Sequence, residues 1–201
     1  MIHFSAMEKK ISILICACCL LVQLHAQESA APEKTTYLGF GTGLNNNCGL
    51  IGLNLEQFVA ERFSFIGAAG IGSWGNKIAI GARYYLNGKT GKALGISYSS
   101  ATGLNNFEPD NVKIIQNGQE VDSKAKFNLL PVQQINVTWI RTWQVGKSNR
   151  MGIELGYSIN ISGEDNVSGQ DVPKLTDESR DNFNILQPGG LIFGFSFNFG
   201  L

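Results

Sequence analysis

The sequence predicts an all-β fold in which eight antiparallel strands, joined up-and-down, close into a barrel. Three observations predict it. Residues 190–201, GLIFGFSFNFGL, put Leu191, Phe193, Phe195, Phe197, Phe199 and Leu201 on one parity and Ile192, Gly194, Ser196, Asn198 and Gly200 on the other. Strand side chains alternate between faces, so one face is large and apolar and the other small and mostly polar; a helix would spread the phenylalanines around its axis. Seven earlier segments carry the same two-residue period. The two long connections between them, 102–127 and 163–189, fall at the same end of such a meander.

The first residues stand outside that pattern. Glu8, Lys9 and Lys10 precede an apolar run from Ile11 to Leu24, followed by His25, Ala26 and Gln27. A basic start, a short apolar core and a small residue before a polar one describe a secretory signal peptide over 1–26, with either Met1 or Met7 as initiator. The run is short for a membrane-spanning helix. Cys16, Cys18 and Cys19 lie inside it. They read as apolar filler, and acylation at Cys18 would leave a very short apolar stretch ahead of it. A short segment over 27–35 then leads into a barrel domain over 36–201. From Gln27 onward 14 Lys and Arg face 15 Asp and Glu, a balance that gives no support to nucleic-acid binding. Cys48, the one cysteine left, cannot make an internal disulfide.

The strands are expected at 36–44, 50–60, 63–73, 77–86, 93–101, 128–142, 151–162 and 190–201. Most are close to the length a tilted strand needs to cross a bilayer. In the fourth, Ile78, Ile80, Ala82, Tyr84 and Leu86 alternate with Lys77, Ala79, Gly81, Arg83 and Tyr85. In the seventh, Met151, Ile153, Leu155, Tyr157, Ile159 and Ile161 alternate with Gly152, Glu154, Gly156, Ser158, Asn160 and Ser162. The sixth is less regular, and Gln133 sits on its apolar parity without explanation. With the amino end periplasmic, the turns at 61–62, 87–92 and 143–150 face the periplasm. The loops at 45–49, 74–76, 102–127 and 163–189 face outward, so both long loops share one side. A soluble barrel is the alternative, but it would turn its large apolar residues inward. Here the small face carries Gly39, Gly41, Gly43, Gly81, Gly152, Gly156 and Gly194, which suit an interior only just wide enough for side chains. The pattern therefore predicts an eight-stranded antiparallel up-and-down transmembrane β-barrel in the cell outer membrane.

On these residues the chain resembles the small Gram-negative outer-membrane β-barrel family, the eight-stranded OmpA- and OmpX-like group within the porin family. The resemblance covers about 36–201. Its sharpest element is the ladder Phe193, Phe195, Phe197, Phe199 and Leu201, which is similar to the C-terminal signal read by the barrel-assembly machinery. Leu201 departs from the aromatic that most often ends that family. The resemblance implies outer-membrane lipid, lipopolysaccharide and the assembly machinery as partners, and a monomer. Enzymes similar to this scaffold use a catalytic His, and the only His here, His3 and His25, precede the expected cleavage site. No Ser-His or Asp-His mechanism, imidazole metal site or cofactor is expected.

On the inward parity Glu56, Arg83 and Glu154 should sit at similar depth near the periplasmic end. They are expected to form a lumen charge cluster, with Lys77 higher and more exposed to water. Buried charges are costly unless paired. The cluster is either a static plug or a gate on a narrow path for ions or small solutes, and the narrow interior favours the plug. Loop 163–189 carries Glu164, Asp165, Asp171, Asp177, Glu178 and Asp181 against Lys174 and Arg180, a net −4. Arg62, Lys89, Lys92, Lys147 and Arg150 against Glu61 make the periplasmic turns +4. The acidic loop either bridges divalent cations to lipopolysaccharide or is a solvated segment. Tyr84, Tyr85, Trp139, Trp143 and Phe107 near strand ends suit an aromatic girdle, and Cys48 is read as a surface thiol. The Gly39, Gly41 and Gly43 spacing does not match a phosphate loop. The functional expectation is a non-catalytic envelope or surface-interaction protein acting through loops 102–127 and 163–189, with a narrow channel as the alternative.

Overall fold

A computed structural model describes residues 34–108, 112–116, 119–123, 126–163, 166–168, 174–175 and 187–201. The expected signal peptide lies outside the described residues, as do all six acidic residues singled out in loop 163–189. The described chain is all-β. Eight strands close a barrel: β1 (Thr36–Leu44), β2 (Ile51–Ala60), β3 (Phe63–Gly72), β4 (Gly75–Tyr85), β5 (Gly91–Ala101), β10 (Val132–Val145), β11 (Asn149–Asn160) and β14 (Gly190–Gly200). Every barrel pairing is antiparallel, and β14 returns to β1, pairing Tyr37 with Gly200 and Leu44 with Phe193.

The register fixes the shape. Stepping across paired residues from Thr142 passes through Gly152, Ser196, Gly41, Gly52, Gly70, Lys77 and Ala101, and returns to β10 at Val132, ten residues along. Eight strands with that stagger tilt by about 40° to the barrel axis. An 11-residue strand such as β4 or β14 then spans roughly 27 Å along the axis.

Alternation sorts the side chains as their parity requires. Leu38, Phe40, Ile51, Leu53, Leu55, Phe65, Ile78, Ile80, Leu94, Ile96, Val137, Trp139, Leu155, Tyr157, Leu191, Phe193 and Phe199 are exposed on the outer wall. The phenylalanine ladder points outward; Phe195 and Phe197 are half covered by neighbours, and Phe40 stacks on Phe197 with ring centroids 5.9 Å apart. Gln133 also points outward, but at the rim: its carbonyl accepts the Ile161 N–H at 2.9 Å beyond the last β10–β11 pair.

The connections β2–β3, β4–β5 and β10–β11 share one end with the start of β1 and the end of β14. The opposite end holds both long connections, together with the tight turn between β3 and β4 and the connection from β1 to β2. The sixth expected strand is two, broken at Leu130 and Pro131 into β9 (Phe127–Leu129) and β10. The expected loop 102–127 contains β6 (Leu104–Phe107), β7 (Val112–Gln116) and β8 (Gln119–Ser123). With β12 (Val167–Ser168) and β13 (Lys174–Leu175) these make two small sheets, β12-β9-β6 and β13-β7-β8. Sequence patterning missed them because strands of two to five residues are too short to show a period.

Candidate functional site: a filled lumen

The barrel interior is built in layers. At the end where β1 begins and β14 ends, Tyr37, Phe58, Tyr85, Ala93 and Ile140 form a buried apolar floor. Their strands bring inward-parity positions together where the barrel narrows onto its short turns. The Arg150 guanidinium lies across this floor, 3.4 Å from the Tyr37 ring centroid. A delocalised cation over an aromatic face is attracted by the ring quadrupole.

An ionic layer sits on the floor, with Glu56 at its centre. Its carboxylate accepts from Ser64 Oγ at 2.6 Å, Tyr85 Oη at 2.8 Å, Arg150 Nη2 at 2.9 Å and Arg83 Nη1 at 3.2 Å. Arg83 Nη2 reaches Glu154 at 3.6 Å. The structure thus brings Glu56, Arg83 and Glu154 together, and adds Arg150. Arg150 had been counted with the periplasmic turns. It lies instead in β11, 1% exposed, with Nη1 donating to the Lys89 carbonyl at 2.6 Å. The signal that could have found it is the inward parity of Gly152, Glu154 and Gly156, continued two residues upstream. Lys92 likewise lies in β5; without it and Arg150 the turns carry Arg62, Lys89 and Lys147 against Glu61, which is +2.

The third layer is a loop. Residues 45–50 do not stand above the barrel; they fold into its mouth. Asn47 donates to Glu154 at 3.3 Å, and its carbonyl oxygen accepts from Ser97 Oγ at 2.7 Å and Asn136 Nδ2 at 3.2 Å. Asn136 continues the network, taking a bond from Ser158 Oγ at 2.6 Å. Asn45, in a left-handed conformation at φ 53, bonds through its side chain to the Gly189 and Leu191 carbonyls.

Wall glycines make room for this loop. A Cβ on Gly41 would lie 2.8 Å from Cys48 Sγ, and one on Gly194 2.8 Å from Asn46 Nδ2. Gly52 and Gly70, paired across β2 and β3, leave space for the Cys48 carbonyl.

Three expectations are corrected here. Lys77 is not the water-exposed member of the cluster: it is 4% exposed and forms no ion pair among the described residues, its Nζ donating to the Asn45 carbonyl at 3.0 Å. The inserted loop covers it. Cys48 is not a surface thiol but is buried at 6% exposure, because the same loop carries it inward. Tyr85 and Phe107 are not girdle residues. Tyr85 has inward parity and is buried on Glu56, and Phe107 packs on a lid cluster.

That lid is formed by Trp74, Ala101, Phe127, Leu129 and Val132 over the mouth, with Trp74 Nε1 donating to the Leu130 carbonyl at 2.8 Å. Beside it, the exposed Lys126 ammonium pairs with Glu108 at 2.7 Å, and that bond holds its pKa above the ordinary lysine range. Small cavities remain among the described residues, two of them at the loop. One lies between Asn46, Asn54, Arg83, Glu154 and Ser196; the other lies under Trp74 and beside Lys77. Each has a volume of about 20 Å³, room for about one water molecule.

The arrangement offers pairing and closure. Among the described residues, no group of three or more His, Cys, Asp or Glu is placed to hold a metal ion. No protein-family model, curated protein or solved structure matches the chain.

Proposed function

We propose that this chain is a non-catalytic, monomeric barrel of a bacterial outer membrane whose lumen is sealed, and that its role in the envelope or at the cell surface is carried by its long-loop end. The observation that supports this reading most is the inversion of the barrel: a continuous apolar outer wall around an interior of paired charges and bonded amides. Monomeric soluble proteins rarely expose contiguous apolar patches beyond a few hundred Å². A wall of roughly 27 Å suits the apolar band of about 25 Å that such barrels present to lipid. Tyr84, Trp139 and Trp143, each outward and partly exposed toward the short-turn end, suit one aromatic belt. In that orientation loops 102–127 and 163–189 face outside the cell, and their strands are the place for contact with lipopolysaccharide or a surface ligand.

The filled lumen argues against a channel. An ion would have to pass the lid, the inserted loop, the Glu56 layer and the aromatic floor. The test is planar-bilayer conductance of the refolded protein, beside membrane fractionation of cells that express it. The expected outcome is recovery with the outer membrane and no stepwise current. Recovery in the aqueous periplasm would overturn the membrane reading. Regular, Arg83-dependent steps would replace the sealed barrel with a channel.

A further inference from the structure

One pair on the outer wall is unlike the rest. β5 and β10 are in register with Arg141 directly opposite Lys92, and both side chains have outward parity. Like charges facing each other across an antiparallel pair destabilise it. The next outward pair toward the barrel middle, Leu94 with Trp139, is apolar, so the two cations sit at the lower edge of the apolar wall. Neither Lys92 nor Arg141 has an ion pair or side-chain hydrogen bond among the described residues. What Arg141 does have is an aromatic neighbour: its guanidinium carbon lies 5.9 Å from the Trp143 ring centroid. Tyr84 is paired with Leu94 on the adjoining strand and exposed beside the same edge.

We infer that Lys92 and Arg141, flanked by Trp143 and Tyr84, hold the phosphodiester headgroup of an anionic phospholipid at the short-turn rim of the barrel. A phosphate between the two cations turns their mutual repulsion into two attractions, and a forked guanidinium suits its oxygens. The apolar wall above, Leu94, Ile96 and Trp139, gives the acyl chains a surface to follow, and the tryptophan and tyrosine take the interfacial level. A free phosphate ion would leave that apolar surface unused, so the structure favours a lipid. The inference rests on the membrane reading above.

The test compares the wild-type barrel with a Lys92→Gln/Arg141→Gln variant, both refolded into mixed micelles of phosphatidylglycerol and phosphatidylcholine. Native mass spectrometry reads the ratio of the two lipids retained. The wild type should retain phosphatidylglycerol preferentially. The double variant should lose that preference by about thirtyfold, the scale of two lysine or arginine contacts to a lipid surface. Lys92→Arg should keep it, and Lys147→Gln, a rim change outside the pair, should leave it unchanged. If the double variant does not refold, raising the salt concentration on the wild type should remove the preference in the same way. An unchanged ratio in the double variant, no salt dependence, or full displacement of the lipid by inorganic phosphate would each overturn the site. Flotation with vesicles separates the two levels of argument. Barrels that float without headgroup preference refute this site alone, whereas barrels that do not float refute the membrane reading and the site with it.

Discussion

Glu56 is the residue on which the interior turns. It takes four bonds, two of them from arginines. Removing one partner of a buried ion pair is costly because the other charge is left uncompensated. The two sides of this cluster are not equivalent. Without Glu56, Arg83 still has the Glu154 carboxylate, but Arg150 keeps no anion, only the Lys89 carbonyl and the faces of Tyr37, Phe58 and Tyr85. Without Arg150, Glu56 still has Arg83, Ser64 and Tyr85. Glu56→Gln should therefore lower unfolding free energy by about 3 kcal/mol, and Arg150→Met by clearly less, since methionine can still cover Tyr37. Urea titrations in detergent micelles would check both. Equal losses would show that the asymmetry of partners is not what sets the cost. The sequence made Glu56, Arg83 and Glu154 legible, because parity and distance from the strand end give both face and depth. It hid Arg150, whose place depends on where β10 turns into β11. Boundaries of strands are set by pairing across the sheet as much as by local composition.

Among the elements, the loop of 45–50 is the one whose position decides most. Composition marks it as a short polar connection, and nothing local says that it turns inward. What draws it in is the wall: glycines at 41, 52, 70 and 194 leave a space, and Glu154, Ser97 and Asn136 offer partners for Asn47. A side chain at Gly194 would meet Asn46 Nδ2 at 2.8 Å and its Cβ at 3.1 Å, so Gly194→Val should displace the loop. Cys48 reports the result. Buried in the wild type, it should react with maleimide at least about tenfold faster in Gly194→Val, since a buried thiol is inert until it opens to solvent. A labelling rate that stays at the wild-type level in a folded Gly194→Val barrel would show that the wall does not hold the loop. Lys77 follows the same logic: its burial is a property of the loop above it and could not be read from β4 alone.

For the whole molecule, closure is the property that matters. β14 is bonded on both sides, to β1 and to β11, so no long barrel edge is left open to pair with another chain. Closure through backbone bonds resists detergent when nothing in the wall is missing. Unboiled protein should migrate faster than boiled protein on a detergent gel. Excising residues 109–125, whose described strands β7 and β8 are not among the eight of the barrel, should preserve that difference. Truncation after Phe195 should abolish it, because Tyr37, Leu38, Gly39, Phe40 and Gly41 would lose their β14 partners. A truncated chain that still shows the compact form would mean that the last residues are not needed for closure.

The sequence by itself determined the count of barrel strands, their up-and-down order, which parity faces out and which end carries the long connections. Those follow from a two-residue period and from connection length, both of which are local and survive without knowing any contact. Only the tertiary structure decided what fills the tube. The inserted loop, the burial of Cys48 and Lys77, the place of Arg150 and the meeting of Lys92 with Arg141 depend on stagger between strands distant in sequence. That stagger is set by the simultaneous pairing of every strand with two neighbours, a condition no single segment carries.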